Sequence, residues 1–192
     1  FSLTPDSFVG MGSRWQIWFG ATFLIITGGL GFSVIYNLFF VAKQKVARIG
    51  KPRKVLASRK LPLRLTMTTR LVLWTTLSLL VIATLGYYLL ESFGIGEGRP
   101  HDVLWTDAWF QAVTFRTAGF NTVDFAELQT TTKLFAIGMM FIGASPGSTG
   151  GGVKTICVAL IFLSVVNLLR GKDRTEVAHR KIPGVQIQRA FL

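Results

Sequence analysis

The chain has 192 residues, 50% of them hydrophobic and 16% charged, with a mean hydropathy of +0.47; soluble domains carry about 25% charge, so the composition argues against a soluble enzyme. Lys and Arg number 21 against 9 Asp and Glu, a net charge of +12, which calls for an acidic partner or a membrane. Charge is sorted by segment: 43–70 holds ten basic side chains and no acidic one, and 91–133 holds six acidic and three basic, a pattern unlike that of a folded nucleic-acid-binding domain.

The sequence opens on Phe1, with no cationic segment leading into a short apolar core and a cleavage site. A signal peptide is therefore not expected, and a processed or partial chain is. Trp15 to Ala42 runs 28 residues without a charge and Leu71 to Leu90 another 20. Each is enough to cross a hydrocarbon layer of about 30 Å, and both are expected as membrane-spanning helices. Trp15, Trp18, Tyr87 and Tyr88 are expected near one interface. The basic loop between the helices is expected on the cytoplasmic side, which puts 1–14 and 91–133 outside.

Val103 to Phe115 is a mostly apolar run of 13 residues, about 20 Å of helix and too short to span. A helix that dips in and returns is expected, with a helix lying flat on the surface as the rival. TAGFNT follows, and Gly119 at its centre suits an extended return. Thr131 to Arg170 is 40 residues, about 60 Å as one helix and twice the layer's thickness. The interruption is GASPGSTGGG, Gly143 to Gly152, with five glycines, one proline and three hydroxyl residues.

Two separate spans here would each be too short, and would send outside a tail that carries six basic and two acidic residues from Arg170 on. One broken crossing is the better account. Irregular backbone at membrane depth is tolerated only where it is buried in protein or lines an aqueous path, so a water-filled pathway is expected. A weak internal repeat accompanies it: a shift of 119 positions lays Phe1-Ser2 on Phe120-Asn121, Gly28 on Gly147 and Gly31 on Gly150. Internal repeats are common in transport proteins.

Helix, short descending helix, extended glycine-containing loop, helix is the plan of a cation-selective pore. Consecutive backbone carbonyls can replace the hydration oxygens of a cation without a fixed charge that would hold it too tightly. Chain geometry assigns that filter to Thr117, Ala118, Gly119, Phe120 and Asn121, with the C-terminal end of the 103–115 helix directing partial negative charge at it. Asp124 near the outer mouth would concentrate cations. The fold class is therefore all-α: a polytopic membrane protein of helix-pore-helix repeats, with a re-entrant pore loop and a broken transmembrane helix.

The run VTFRTAGFNTVD followed by MMFIGASPGSTGGGVKT resembles the third repeat of the Trk/Ktr/HKT superfamily of potassium transporters, nearest to the bacterial Ktr and Trk membrane subunits. GGLGF resembles the end of their second repeat, Phe1-Ser2-Leu3 the residues just after that repeat's filter glycine, and RKIPGVQIQRAFL the lead into the fourth. The resemblance covers almost the whole chain and implies four helix-pore-helix repeats around one pore. This chain would hold 1–42 as the end of the second repeat, with Phe1 and Ser2 as a partial second filter, and 43–70 as the cytoplasmic loop. The third repeat would be 71–170 (helix 71–90, pore helix 103–115, filter 117–121, broken helix 131–170), and 171–192 the linker and start of the fourth. The first repeat, the second filter glycine and nearly all of the fourth repeat are absent from it.

The resemblance further implies that Gly119 is the filter glycine that accompanies potassium selectivity, where a serine accompanies sodium permeation. Gly143, Ala144, Ser145, Pro146, Gly147, Ser148, Thr149, Gly150, Gly151 and Gly152 match the intramembrane loop that lies beneath the filter and acts as a gate. The function implied is potassium uptake (sodium is the alternative ion) across the bacterial inner membrane, as a multi-pass protein and not an enzyme. Implied partners are a second copy in a homodimer, a cytosolic nucleotide-binding regulatory subunit and membrane lipid, with no nucleic acid. The alternative from another class is a non-conducting structural or assembly subunit of a membrane cation-transport complex.

Other features have plainer readings. GSTGGGVKT is not a phosphate-binding loop, because Val153 separates Gly152 from Lys154 and no strand precedes it. Lys154 has two readings, an electrostatic barrier on the ion path or a side chain reaching the inner interface. Arg116 reads as a brace donating to carbonyls or to an acid, and Gly28, Gly29 and Gly31 as sites of close helix packing. Asn37, Cys157 and His179 read as packing or surface residues and His101 as an exposed loop residue. The single cysteine permits neither a disulfide framework nor a cysteine metal site, and no paired carboxylates or activated nucleophile point to an enzyme.

Overall fold

The computed structural model describes residues 7–9, 15–48, 65–94, 100–116, 118–171, 176–177 and 180–181. Within them the chain forms six helices: α1 (Trp15–Leu30), α2 (Phe32–Arg48), α3 (Met67–Glu91), α4 (His101–Thr114), α5 (Thr130–Phe141) and α6 (Thr155–Leu169). Two-residue strands, β1 (Glu176–Val177) and β2 (Arg180–Lys181), pair antiparallel near the C-terminus.

The uncharged stretch from Trp15 to Ala42 is not one straight helix. It bends by 99° between Leu30 and Phe32. Gly31 takes a φ of +80°, a conformation that costs other L-residues roughly 1–2 kcal/mol. The amide of Phe32, which a continuous helix would give to the carbonyl four residues back, donates instead to the Gly147 carbonyl at 3.1 Å.

α3 is 25 residues long and apolar enough to cross a membrane by itself. It begins four residues before the uncharged run because Thr66 caps it, its hydroxyl accepting the Thr69 amide at 3.2 Å. The Asn37 side chain of α2 accepts the Thr66 amide at 3.2 Å, which ties α2 to this start.

α3, α4 and α5 share one core: Leu79, Ala83 and Tyr87 meet Ala108, Ala112 and Phe115, with Ala136 and Met139 closing it and Val123 and Leu128 supplied by the connecting loop. Alanines at the contacts let the backbones approach, as in helix packing within membranes. Tyr87, expected at an interface, is instead 2% exposed and rests against Phe115, ring centroids 6.2 Å apart. Tyr88 is the residue that reaches a polar rim: its hydroxyl lies 3.1 Å from His101 Nδ1 at the start of α4.

Besides its apolar core, the molecule has an outer surface richer in large apolar side chains than a soluble protein's. Thr69, Thr76, Thr84, Gln111 and Thr132 are buried, whereas Trp74 is 70% exposed and Phe141 and Leu168 face outward like it. Large apolar side chains on the outside of several helices and hydroxyls on the inside suit hydrocarbon as the surrounding medium. Glu91 follows the same rule. It is buried at the end of α3, and its Oε1 accepts the Gln129 amide at 3.3 Å just before α5.

Candidate functional site

α4 has 14 residues, about 21 Å, shorter than a hydrocarbon layer of about 30 Å. Its last residue, Thr114, holds the returning chain twice. The main-chain carbonyl accepts the Ala118 amide at 3.1 Å, and the side-chain hydroxyl accepts the Phe120 amide at 2.9 Å. Between those amides Gly119 sits at φ +77°, with no atom within 4 Å of where a Cβ would lie. The site thus requires glycine for its backbone conformation and not for lack of room.

Asn121 completes the turn by bonding to a distant segment: its amide donates to Ser7 Oγ at 3.1 Å and its carbonyl accepts the Phe8 amide at 2.9 Å. Phe8 stacks on Phe120, centroids 5.2 Å apart. Of the residues expected in the filter, Ala118, Gly119, Phe120 and Asn121 therefore form one tied turn. Thr117 lies outside the described residues, as do Phe1, Ser2, His179 and 49–64 of the basic loop.

The glycine-rich stretch is an ordered loop between α5 and α6. Its neck is closed by Ile142 beside Val153, with the Gly143 amide on the Val153 carbonyl at 3.0 Å and the Val153 amide on the Phe141 carbonyl at 3.2 Å. Gly143 and Gly152 meet backbone to backbone, so that a side chain on either would overlap the other strand. Deeper in, the Thr155 hydroxyl lies 3.3 Å from Ser145 Oγ, and both residues are fully buried. The Lys154 ammonium donates to the Gly150 carbonyl at 2.8 Å. This is a third arrangement beside the two the sequence offers, and it ties the end of the loop to the start of α6.

The two helix breaks meet. The Ser145 amide donates to the Gly29 carbonyl at 3.1 Å, and a Cβ on Gly31 would come 2.6 Å from the Pro146 carbonyl oxygen. Gly28 faces Thr149 and Gly29 faces Ala144. The three glycines expected to serve helix packing thus serve the seating of the loop, because their bare backbone is what the loop's own backbone approaches.

A cavity of about 250 Å³ lies between these parts. Ala118 and Phe120 of the turn, Leu24, Ile25, Gly28 and Gly29 of α1, Thr149 and Gly150 of the loop, and Arg116 line it. Arg116 is buried, but Nε and one terminal nitrogen of its guanidinium find no acceptor, so the expected brace to carbonyls or an acid is not formed by those atoms. Its charge sits just past the C-terminal end of α4, where the helix dipole favours a cation. Asp124 is exposed and its Oδ1 accepts the Ala126 amide at 2.8 Å, which makes it a turn former in the loop outside the cavity. Cys157 is half-buried with a free thiol. Among the described residues no cluster of His, Cys, Asp and Glu could hold a metal.

The features missed by the sequence reading are Thr114, the Ser7–Phe8 contact and the seat of the loop on Gly31.

Large apolar side chains on the outer faces of the helices, a short helix that ends in a glycine turn, and a glycine-rich loop seated on the bend between α1 and α2 suit a membrane transport protein. The chain belongs to the TrkH family, described as cation transport protein, whose profile matches residues 1–192. It is 37% identical over 185 residues to the Ktr system potassium uptake protein B of Bacillus subtilis (strain 168), covering 95% of this chain and 37% of that protein. Over 193 residues it is 26% identical to the potassium/sodium uptake protein NtpJ of Enterococcus hirae, covering 100% of this chain and 39% of that one. The fold is like that of the potassium transporter TrkH from Vibrio parahaemolyticus, with a TM-score of 0.67 at 21% identity over 100% of this chain and 38% of that chain. The chain thus spans less than two-fifths of the length of each of these relatives.

Proposed function

We propose that the transporter containing this segment is a potassium-selective, channel-like uptake system of the bacterial inner membrane. Thr117 to Asn121 form one part of its selectivity filter, and the loop from Gly143 to Gly152 is its gate. The observation that carries the reading is the cavity: it runs from Ala118 and Phe120 of the glycine turn to Thr149 and Gly150 of the loop, so an ion leaving the turn meets the loop next. A loop with five glycines and its own hydrogen bonds can hold a closed shape and yet be displaced without breaking a helix.

Potassium is the favoured ion because relatives matched over 95% or more of this chain are named for potassium uptake, and sodium is the second ion because one is named for both. We assign the basic segment 43–70 to the cytoplasmic face, where anionic lipid and a cytosolic nucleotide-binding subunit would meet it, and expect two copies of the transporter to associate.

The test is ion uptake by the intact transporter in proteoliposomes. Potassium should enter in preference to sodium, and Gly119→Ser should raise sodium entry relative to potassium by about ten-fold, the equivalent of about 1.4 kcal/mol of discrimination. An unchanged ratio in a well-folded variant would remove Gly119 from the filter.

A further inference from the structure

Thr114 lies outside the filter, is 3% exposed, and ends a helix, yet it makes the one side-chain bond within the repeat to the glycine turn that is present among the described residues. Its consequence follows from the planarity of the peptide unit. In a trans peptide the N–H of one residue and the C=O of the residue before it point in opposite directions. Holding the Phe120 N–H on the Thr114 hydroxyl at 2.9 Å therefore aims the Gly119 carbonyl away from α4. The same relation holds one residue on, where the Asn121 N–H on Ser7 Oγ at 3.1 Å turns the Phe120 carbonyl away from that hydroxyl. The Ala118 amide is held by the Thr114 carbonyl. The amides of Ala118, Phe120 and Asn121 are thus drawn back into the protein, and Gly119, at φ +77° with open space around it, is the residue whose peptide would turn over most easily if one of those bonds were lost.

We propose that Thr114 is a positioning residue for ion selection: its hydroxyl sets the direction of the Gly119 carbonyl and so the spacing of the oxygens that replace an ion's water. The inference rests on the reading of Ala118 to Asn121 as filter. Selection between two cations of equal charge depends on the number and placement of the coordinating oxygens, so a peptide that turns over weakens discrimination before it weakens flux.

The experiment uses the intact transporter in proteoliposomes, with potassium and sodium uptake measured for Thr114→Val, Thr114→Ser and Gly119→Ser at matched protein levels. Thr114→Val keeps the shape and removes the acceptor, and the preference for potassium over sodium should fall about five- to ten-fold while potassium uptake persists. Thr114→Ser keeps the oxygen and should restore the preference, a rescue that a role in packing alone would not predict. If Thr114→Val is poorly produced, Thr114→Cys, a weaker acceptor of similar size, should give an intermediate preference. If Gly119→Ser shifts the ratio and the Thr114 variants do not, the positioning role is overturned and the filter stands. If neither position shifts it, the filter assignment falls and this role falls with it.

Discussion

Lys154 shows how one side chain can set the behaviour of a loop. Its ammonium donates to the Gly150 carbonyl at 2.8 Å from the N-cap position of α6, and Gly150 is one of the residues that line the cavity. A hydrogen bond from a charged donor contributes about 1.5–3 kcal/mol, and partial exposure reduces that here to about 1 kcal/mol. Lys154→Met keeps the length and removes the donor. Potassium flux through the intact transporter should then rise roughly five-fold as the loop leaves its seat more often. Flux at or below the original level in a folded variant would show that the tether does not limit opening. Arg116 is of a different kind: its guanidinium is held by burial and by the end of α4 more than by hydrogen bonds. Under the proposed function, a cation lining the cavity would weaken attraction for a permeating ion and so work against tight binding, which is a requirement for throughput.

Two interrupted helices are seated on one another, and each break explains its partner. α1 ends at Gly31 because the Phe32 amide has a better acceptor in Gly147 than in its own helix, and the loop after α5 keeps its shape because Gly29 accepts the Ser145 amide. Substituting Gly31 by Ala places a methyl group against the Pro146 carbonyl and forces a φ of +80° on a residue that disfavours it. Gly31→Ala should destabilise the protein by about 2 kcal/mol, read as a lower midpoint of thermal unfolding in detergent. An unchanged midpoint would mean that the bend relaxes without cost. α3 is built on the opposite principle: 25 residues without a break, with Leu79, Ala83 and Tyr87 packed toward α4 and large apolar side chains such as Trp74 outward.

At the scale of the whole molecule, the charge distribution supports one orientation in the membrane. α2 carries Lys43 and Lys45 toward the basic loop, while Asp124 and Glu127 lie in the connection that follows the glycine turn, beyond the opposite end of α3. With Cys157 replaced by Ser, a cysteine introduced at Lys45 should react with an impermeant thiol reagent only from the cytoplasmic side, and one at Asp124 only from outside. Labelling of both from one side would overturn the orientation. The Ser7–Asn121 bond joins residues 114 positions apart and brings the segment that precedes α1 onto the glycine turn after α4.

Much of this was legible from residue order because it depends on local quantities. Whether a stretch crosses hydrocarbon, stops short or must break is decided by its length, its charges and its glycines, and these marked α3, the short α4 and the loop between α5 and α6. The expected side of the membrane comes from where Lys and Arg lie along the chain, and the thiol labelling tests it. The straight helix expected from Trp15 to Ala42 is bent by 99°, and no local rule could place that bend, because a glycine in an apolar helix is tolerated until another backbone offers a better acceptor. Tyr87 was equally ambiguous, since an aromatic residue near a helix end serves an interface or a core according to what packs beside it, and here Phe115 does. Thr114 and Ser7 lie in the same class: a hydroxyl's role depends on which amide comes within 3 Å of it, and that is set by how distant segments fold together, not by the residues next to it in the chain.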